Sequence, residues 1–156
     1  GHPVIKCGMS AAADFVMNRH LFDRDILSGL SAQISTRPTL AGEQVHTSPQ
    51  GRFKVHYTVT GGDAVRAVDN SGNGVPDYVD TVAIIFDSVY QNIVVLLGYP
   101  KPPADNLYPA AGDSLFDIYL MDLGIGVYGL SWLDSLRIDG PGSIRATSYV
   151  VLDRNY

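Results

Sequence analysis

The chain has 156 residues, 46% of them hydrophobic and 17% charged, which suits one compact domain with a single core. Its 16 acids against 11 bases give a formal charge of −5, which argues against the basic stripe of a nucleic-acid binder. The single cysteine, Cys7, excludes a disulfide within the chain. The longest apolar run, around Ile93–Leu97, is far shorter than a membrane span.

Residues 10–30 come first, with Phe15, Phe22, Ile26 and Leu30 on one face at helical spacing. Ser10 serves as N-cap and Gly29 as stop, so the spacing predicts one helix, or two short ones broken near Asn18–His20. The next stretch, "STRPTLAGEQVHTSPQG", is rich in Ser, Thr, Pro and Gly and reads as a surface loop without regular structure. "RFKVHYTVT" (52–60) then alternates Phe53, Val55, Tyr57 and Val59 with polar residues, the period-two pattern of a strand with one buried face. Gly61-Gly62 ends it.

"PDYVDTVAIIFDSVYQNIVVLLG" predicts a long core helix of about six turns. Its apolar stripe runs Val79, Val82, Ile85, Phe86, Val89, Ile93 and Leu96 or Leu97, with Gly98 as the C′ residue. A proline-rich connection follows. "LFDIYLMDLG" (115–124) is apolar on both faces and reads as a central strand. "GVYGLSWLDSL" (126–136) reads as a strand interrupted by Gly129, and "RATSYVVLD" (145–153) as a last buried strand. A helix between strands favours an α/β (α+β) fold, a mixed sheet packed on the long helix. By organisation, 1–50 is an N-terminal helical and loop segment and 51–156 the sheet-bearing part.

The stretch "DNSGNGVPDYVD" (69–80) carries the most chemistry. Calcium takes six to eight oxygens from alternate positions of a tight loop. Asp69, Ser71 and Asn73 recur every second residue before Gly74, where a sharp turn needs a positive φ. Val75 would supply its carbonyl, and Asp77 and Asp80 complete the set. Ser71 is a weaker ligand than Asp, and Asp80 is a methylene shorter than the usual Glu. The bland alternative is a turn followed by a helix start. Pro76 suits the first helical position and acids suit a helix N-terminus. That alternative explains Asp77 and Asp80 but not the alternation before Gly74. The expected ion is structural, because the ligands saturate it.

A second cation site at Asp113 and Asp117 is the lesser expectation, against ordinary turn and strand-flanking acids. His2, His20, His46 and His56 are isolated, without the spacing of a zinc pair. Ser131 and Ser148 lack a nucleophile-elbow setting. Taken alone, the chain carries no catalytic constellation.

Several segments occur in a familiar order: "KCG", "SPQGRFKVHYTVTGGDAV", "VDNSGNGVPDYVD", "LGYPKPP", "GDSLFDIYLMDLG", "VYG" and "SYVVLD". The series resembles the N-terminal half of a myxobacterial-type family of secreted bacterial metalloproteases, zincin-like zinc peptidases. The resemblance runs from Cys7 to Tyr156 and is weakest over 10–45. It implies a secreted, calcium-stabilised, zinc-dependent endopeptidase whose HExxH helix would follow "SYVVLDRNY". The chain ends before any such motif, so the resemblance assigns no zinc ligand or general base to a residue here. The family pattern also carries Asp where Ser71 stands and Glu where Asp80 stands. By the same likeness, Tyr128, Gly129 and Leu130 lie on the strand along which a peptide substrate would extend, the alternative being an ordinary exposed strand. The expected partners are a peptide or protein substrate, the missing C-terminal part or a second copy, with no nucleic acid and no membrane span. The rival class is a non-catalytic extracellular calcium-binding module or pro-segment.

Overall fold

A computed structural model describes residues 37–103, 113–138 and 144–155. Cys7, the helix expected over 10–30 and most of the proline-rich connection lie outside these residues. Among the described residues five strands form one mixed sheet in the order β1-β2-β3-β5-β4. They are β1 (Gln44–Thr47), β2 (Phe53–Tyr57), β3 (Phe116–Met121), β4 (Gly129–Ile138) and β5 (Ile144–Asp153). Strands β2, β3 and β5 run parallel, while β1 and β4 are antiparallel to their neighbours. The α/β class and the mixed sheet are as the sequence predicts.

Strand β1 departs from the expectation of an irregular loop before residue 52. Its pairing, Gln44 with Tyr57 through Thr47 with Lys54, makes a hairpin with β2 across the proposed 50/51 division. The turn explains why. Ser48 N–H donates to Phe53 O at 2.9 Å and Gly51 N–H to Ser48 O at 2.8 Å, with Gly51 at φ 65°. The Ser48 hydroxyl also accepts from Arg52 N–H and Phe53 N–H. Turn chemistry thus overrides the loop-like composition of the segment. Strand β4 begins at Gly129 rather than being interrupted there. A Cβ at Gly129 would stand 2.9 Å from Leu152 Cδ2, so the residue permits close approach to β5.

Helix α1 spans Asp77–Tyr90 and passes into a π-helical segment, Gln91–Leu96. Leu97 N–H reaches Asn92 O and Tyr99 N–H reaches Ile93 O, and Gly98 at φ 71° closes the end. Val79, Val82 and Ala83 pack with Phe53, Val55, Tyr57, Ile118 and Leu120 in the core. The predicted stripe is only half realised. Ile85, Val89, Ile93, Leu96 and Leu97 are exposed, because α1 lies over β2 and β1 and the helix runs on past the sheet. Asp87 is buried instead, accepting from the Ser48 hydroxyl at 3.0 Å and Gln50 N–H at 2.8 Å.

The 20 residues Asp77–Leu96 form the one described helix long and apolar enough to cross a membrane by length and composition. A core helix passes the same test, and this one buries Val79, Val82, Ala83 and Asp87. The other face of the sheet holds a smaller apolar cluster of Leu40, Tyr119, Tyr149 and Val151.

Candidate functional site

The loop 69–80 is organised by Asp69. Its carboxylate accepts from Gly72 N–H at 2.7 Å, Asn73 N–H at 3.3 Å, Gly74 N–H at 2.8 Å and the Ser71 hydroxyl at 3.0 Å. The Gly74 N–H foremost, with the other three donors, holds the Asp69 carboxyl below the usual carboxylate range. Gly72 and Gly74 take φ values of 72° and 83°, where a side chain would be strained. Sequence spacing anticipates Gly74; Gly72 is a second such turn position.

The remaining candidates lie on either side of this turn. Asn73 Oδ1 accepts from Val75 N–H at 2.8 Å, and its amide nitrogen donates to Asp80 Oδ2 at 2.8 Å. Asp77 begins α1 and accepts from Asn70, through N–H at 3.0 Å and the side-chain amide at 2.5 Å. Asp80 Oδ1 also stands 3.4 Å from His46 Nε2 on β1. The three carboxylates are therefore engaged separately, and among the described residues no three His, Cys, Asp or Glu side chains stand together as a metal group. The candidate donors are all oxygen, the kind a hard cation takes, with the Asp69 carboxylate in the turn and those of Asp77 and Asp80 in the first turn of α1, all three partly buried. The helix start is formed as well: Asp77 N–H closes onto Val68 O at 2.8 Å, joining the two ends of the loop.

Asp113 and Asp117, paired in the sequence as a second cation site, have different partners. Asp113 forms an ion pair with Lys54 and accepts from Leu115 N–H at 2.8 Å. Asp117 is buried within β3, between the Arg37 guanidinium and His56. That geometry engages Asp117 with the Arg37 guanidinium and the His56 ring, apart from Asp113. Tyr128 and Leu130 are exposed beside the outer strand β4, with Gly129 at its start and Trp132 exposed further along.

A second polar cluster among the described residues escapes sequence reasoning. Arg37 forks onto Asp134, with Nε 3.2 Å from Oδ1 and Nη2 2.6 Å from Oδ2, and also binds Asp117 through Nη1. His56 stands between Glu43 and Asp117, its ring stacked on Tyr119 with centroids 4.4 Å apart. Burial, with the Asp117 charge beside it, pushes the Tyr119 hydroxyl well above the ordinary tyrosine range. The available signal was Asp117 itself, a charge inside an otherwise apolar central strand, which demands a buried partner.

A groove of about 460 Å³ lies between the β1–β2 turn and α1, lined by Pro49, Gln50, Arg52, Asp87 and Asn92. It is separate from both clusters. Compared with protein-family models, curated proteins and solved structures, the chain gives no match.

Proposed function

We propose that the chain is the N-terminal part of a secreted zinc-dependent peptidase whose scaffold is stabilised by calcium in the loop 69–80. The supporting observation is the sheet. Parallel β2, β3 and β5 are flanked by β4, an antiparallel outer strand carrying exposed Leu130 and Trp132, with exposed Tyr128 just before it. Among the described residues β4 has no strand on its outer side, the setting in which an extended peptide adds to a sheet and alternate side chains select it. Among the described residues no side-chain set fits zinc, since His46 and His56 are each engaged with carboxylates on different elements. In this reading the zinc ligands and the water-activating group would belong to the part after Tyr156.

In this reading calcium clamps the loop after β2 to the start of α1, with Asp69, Asp77 and Asp80 as charged ligands and Ser71, Asn73 and the Val75 carbonyl as neutral ones. An extracellular setting follows, where millimolar calcium fills weak sites. The rival reading, a non-catalytic calcium-binding module or pro-segment, draws on the same loop and on the pairing of buried Asp117 and Asp134 with Arg37. The coding sequence downstream of Tyr156 separates the two. An HExxH helix shortly after "VVLDRNY" is expected; a stop codon directly after Tyr156 overturns the peptidase reading and leaves the module.

A further inference from the structure

A second groove, of about 250 Å³, lies at the end of the sheet where β2 and β3 begin, between Tyr90 and residues 101–103. One wall is aromatic. The Phe53 ring meets Tyr90 and Phe116 edge-on, with centroids 6.2 and 6.1 Å apart. Pro102 and Pro103 line the groove as well. It stands at the far end of α1 from the loop 69–80, a helix of 14 residues or about 21 Å.

Arg52 is held in this groove at three points. Its N–H donates to the Ser48 hydroxyl at 3.2 Å, and its carbonyl accepts from Phe116 N–H at 3.3 Å. Its guanidinium lies over the Tyr90 ring, 4.5 Å from the centroid, which positions the charge without neutralising it. Lys101 brings a second cationic residue to the same groove. Among the described residues no carboxylate pairs with either, although the chain carries 16 acids against 11 bases. Arg37, Lys54 and Arg154, by contrast, each pair with an aspartate. The acids closest in sequence to the groove are engaged elsewhere. Asp113 pairs with Lys54, and Asp87 accepts from the Ser48 hydroxyl and Gln50 N–H.

We propose that this groove binds a small aromatic carboxylate, with its ring on the aromatic wall and its carboxylate on Arg52. A guanidinium stacked by one face keeps its N–H edge for a carboxylate, which it grips through two parallel hydrogen bonds. Apolar walls with a few placed charges are the composition of a small-molecule site. The volume falls below the roughly 300 Å³ at which drug-sized ligands begin, so a single-ring acid suits the groove and an extended peptide does not. Lys101 is exposed and attracts the anion without clasping it. The site is independent of calcium in the loop 69–80 and of any peptide beside β4.

Benzoate is the probe, titrated into the isotope-labelled full chain at neutral pH and constant ionic strength. Backbone amides of Arg52, Phe53, Tyr90, Lys101 and Phe116 should shift saturably in NMR spectra, while those of 69–80 stay in place. Benzamide, which keeps the ring without the charge, should bind at least about tenfold more weakly, the equivalent of one charge-assisted hydrogen bond. Inorganic phosphate, which lacks the ring, should be weaker by a similar factor of about ten. Arg52→Gln should weaken benzoate about tenfold and Lys101→Gln about two- to threefold. Lys101→Gln changes an exposed side chain, so it reads the charge effect even where Arg52→Gln lowers stability by removing the Tyr90 stacking. No saturable shift at millimolar benzoate, equal binding of benzoate and benzamide, or undiminished binding by both variants would each overturn the proposal. Phosphate binding as tightly as benzoate would show a bare anion site and overturn it as well.

Discussion

Replacing Arg37 with methionine tests whether the buried ionic cluster is structural. Its side chain is 10% exposed, against 4% for Asp117 and 0% for Asp134. Removing one partner from a buried pair costs about 3–5 kcal/mol, because a desolvated charge loses its counter-ion. His56 still faces Asp117, so the loss falls mainly on Asp134, whose bidentate grip disappears. For a chain of this size each kcal/mol moves Tm by about 2–4 °C, so a fall of about 6–20 °C is expected. Urea and thermal melts followed by circular dichroism at neutral pH give the value. The variant Arg37→Met/Asp117→Asn/Asp134→Asn should recover much of it, since no buried charge is then left without its guanidinium. A loss under about 1 kcal/mol for Arg37→Met, the level of a solvent-exposed pair, would show that the cluster does not hold the fold together.

Two further outcomes follow from the core and the loop. Ile118→Ala deletes a fully buried side chain at the centre of the β2–β3–α1 core and should cost about 2–5 kcal/mol in urea denaturation. Gly74→Ala places a side chain at φ 83° with open space around it, so strain alone should destabilise by about 1–2 kcal/mol. A loss from Gly74→Ala that vanished on adding calcium would show a loop geometry set by the ion and not by the glycine.

The strands were legible where one local rule dominated. Period-two alternation gave β2, apolar content on both faces gave β3 its central place, and Gly98 marked the helix end. Strand β1 was hidden because Ser, Pro and Gly around Gln44–Thr47 read as loop, while its pairing is imposed by the Ser48–Gly51 turn. The helix stripe misled because periodicity reports one apolar face without saying how far the sheet beneath it extends. Ile85 and Val89 share the phase of Val82 yet are exposed.

The candidate loop was read from spacing, and the Asp69 hydrogen bonds give that spacing a physical basis. The cluster of Arg37, Glu43, His56, Asp117 and Asp134 joins residues as far apart in sequence as 97 positions. No local pattern encodes that meeting. Treating the polar phase of β2 as solvent-facing concealed His56, whose side chain is only 12% exposed.

Calcium titration of the full chain tests the ion proposed for the loop 69–80. Calorimetry should give one calcium per chain, and Tm should rise by about 5–10 °C when free calcium reaches about one hundred times Kd. Asp69→Ala should remove both the binding heat and the rise. Neither heat nor shift at millimolar calcium, or a full response retained in Asp69→Ala, would contradict the account.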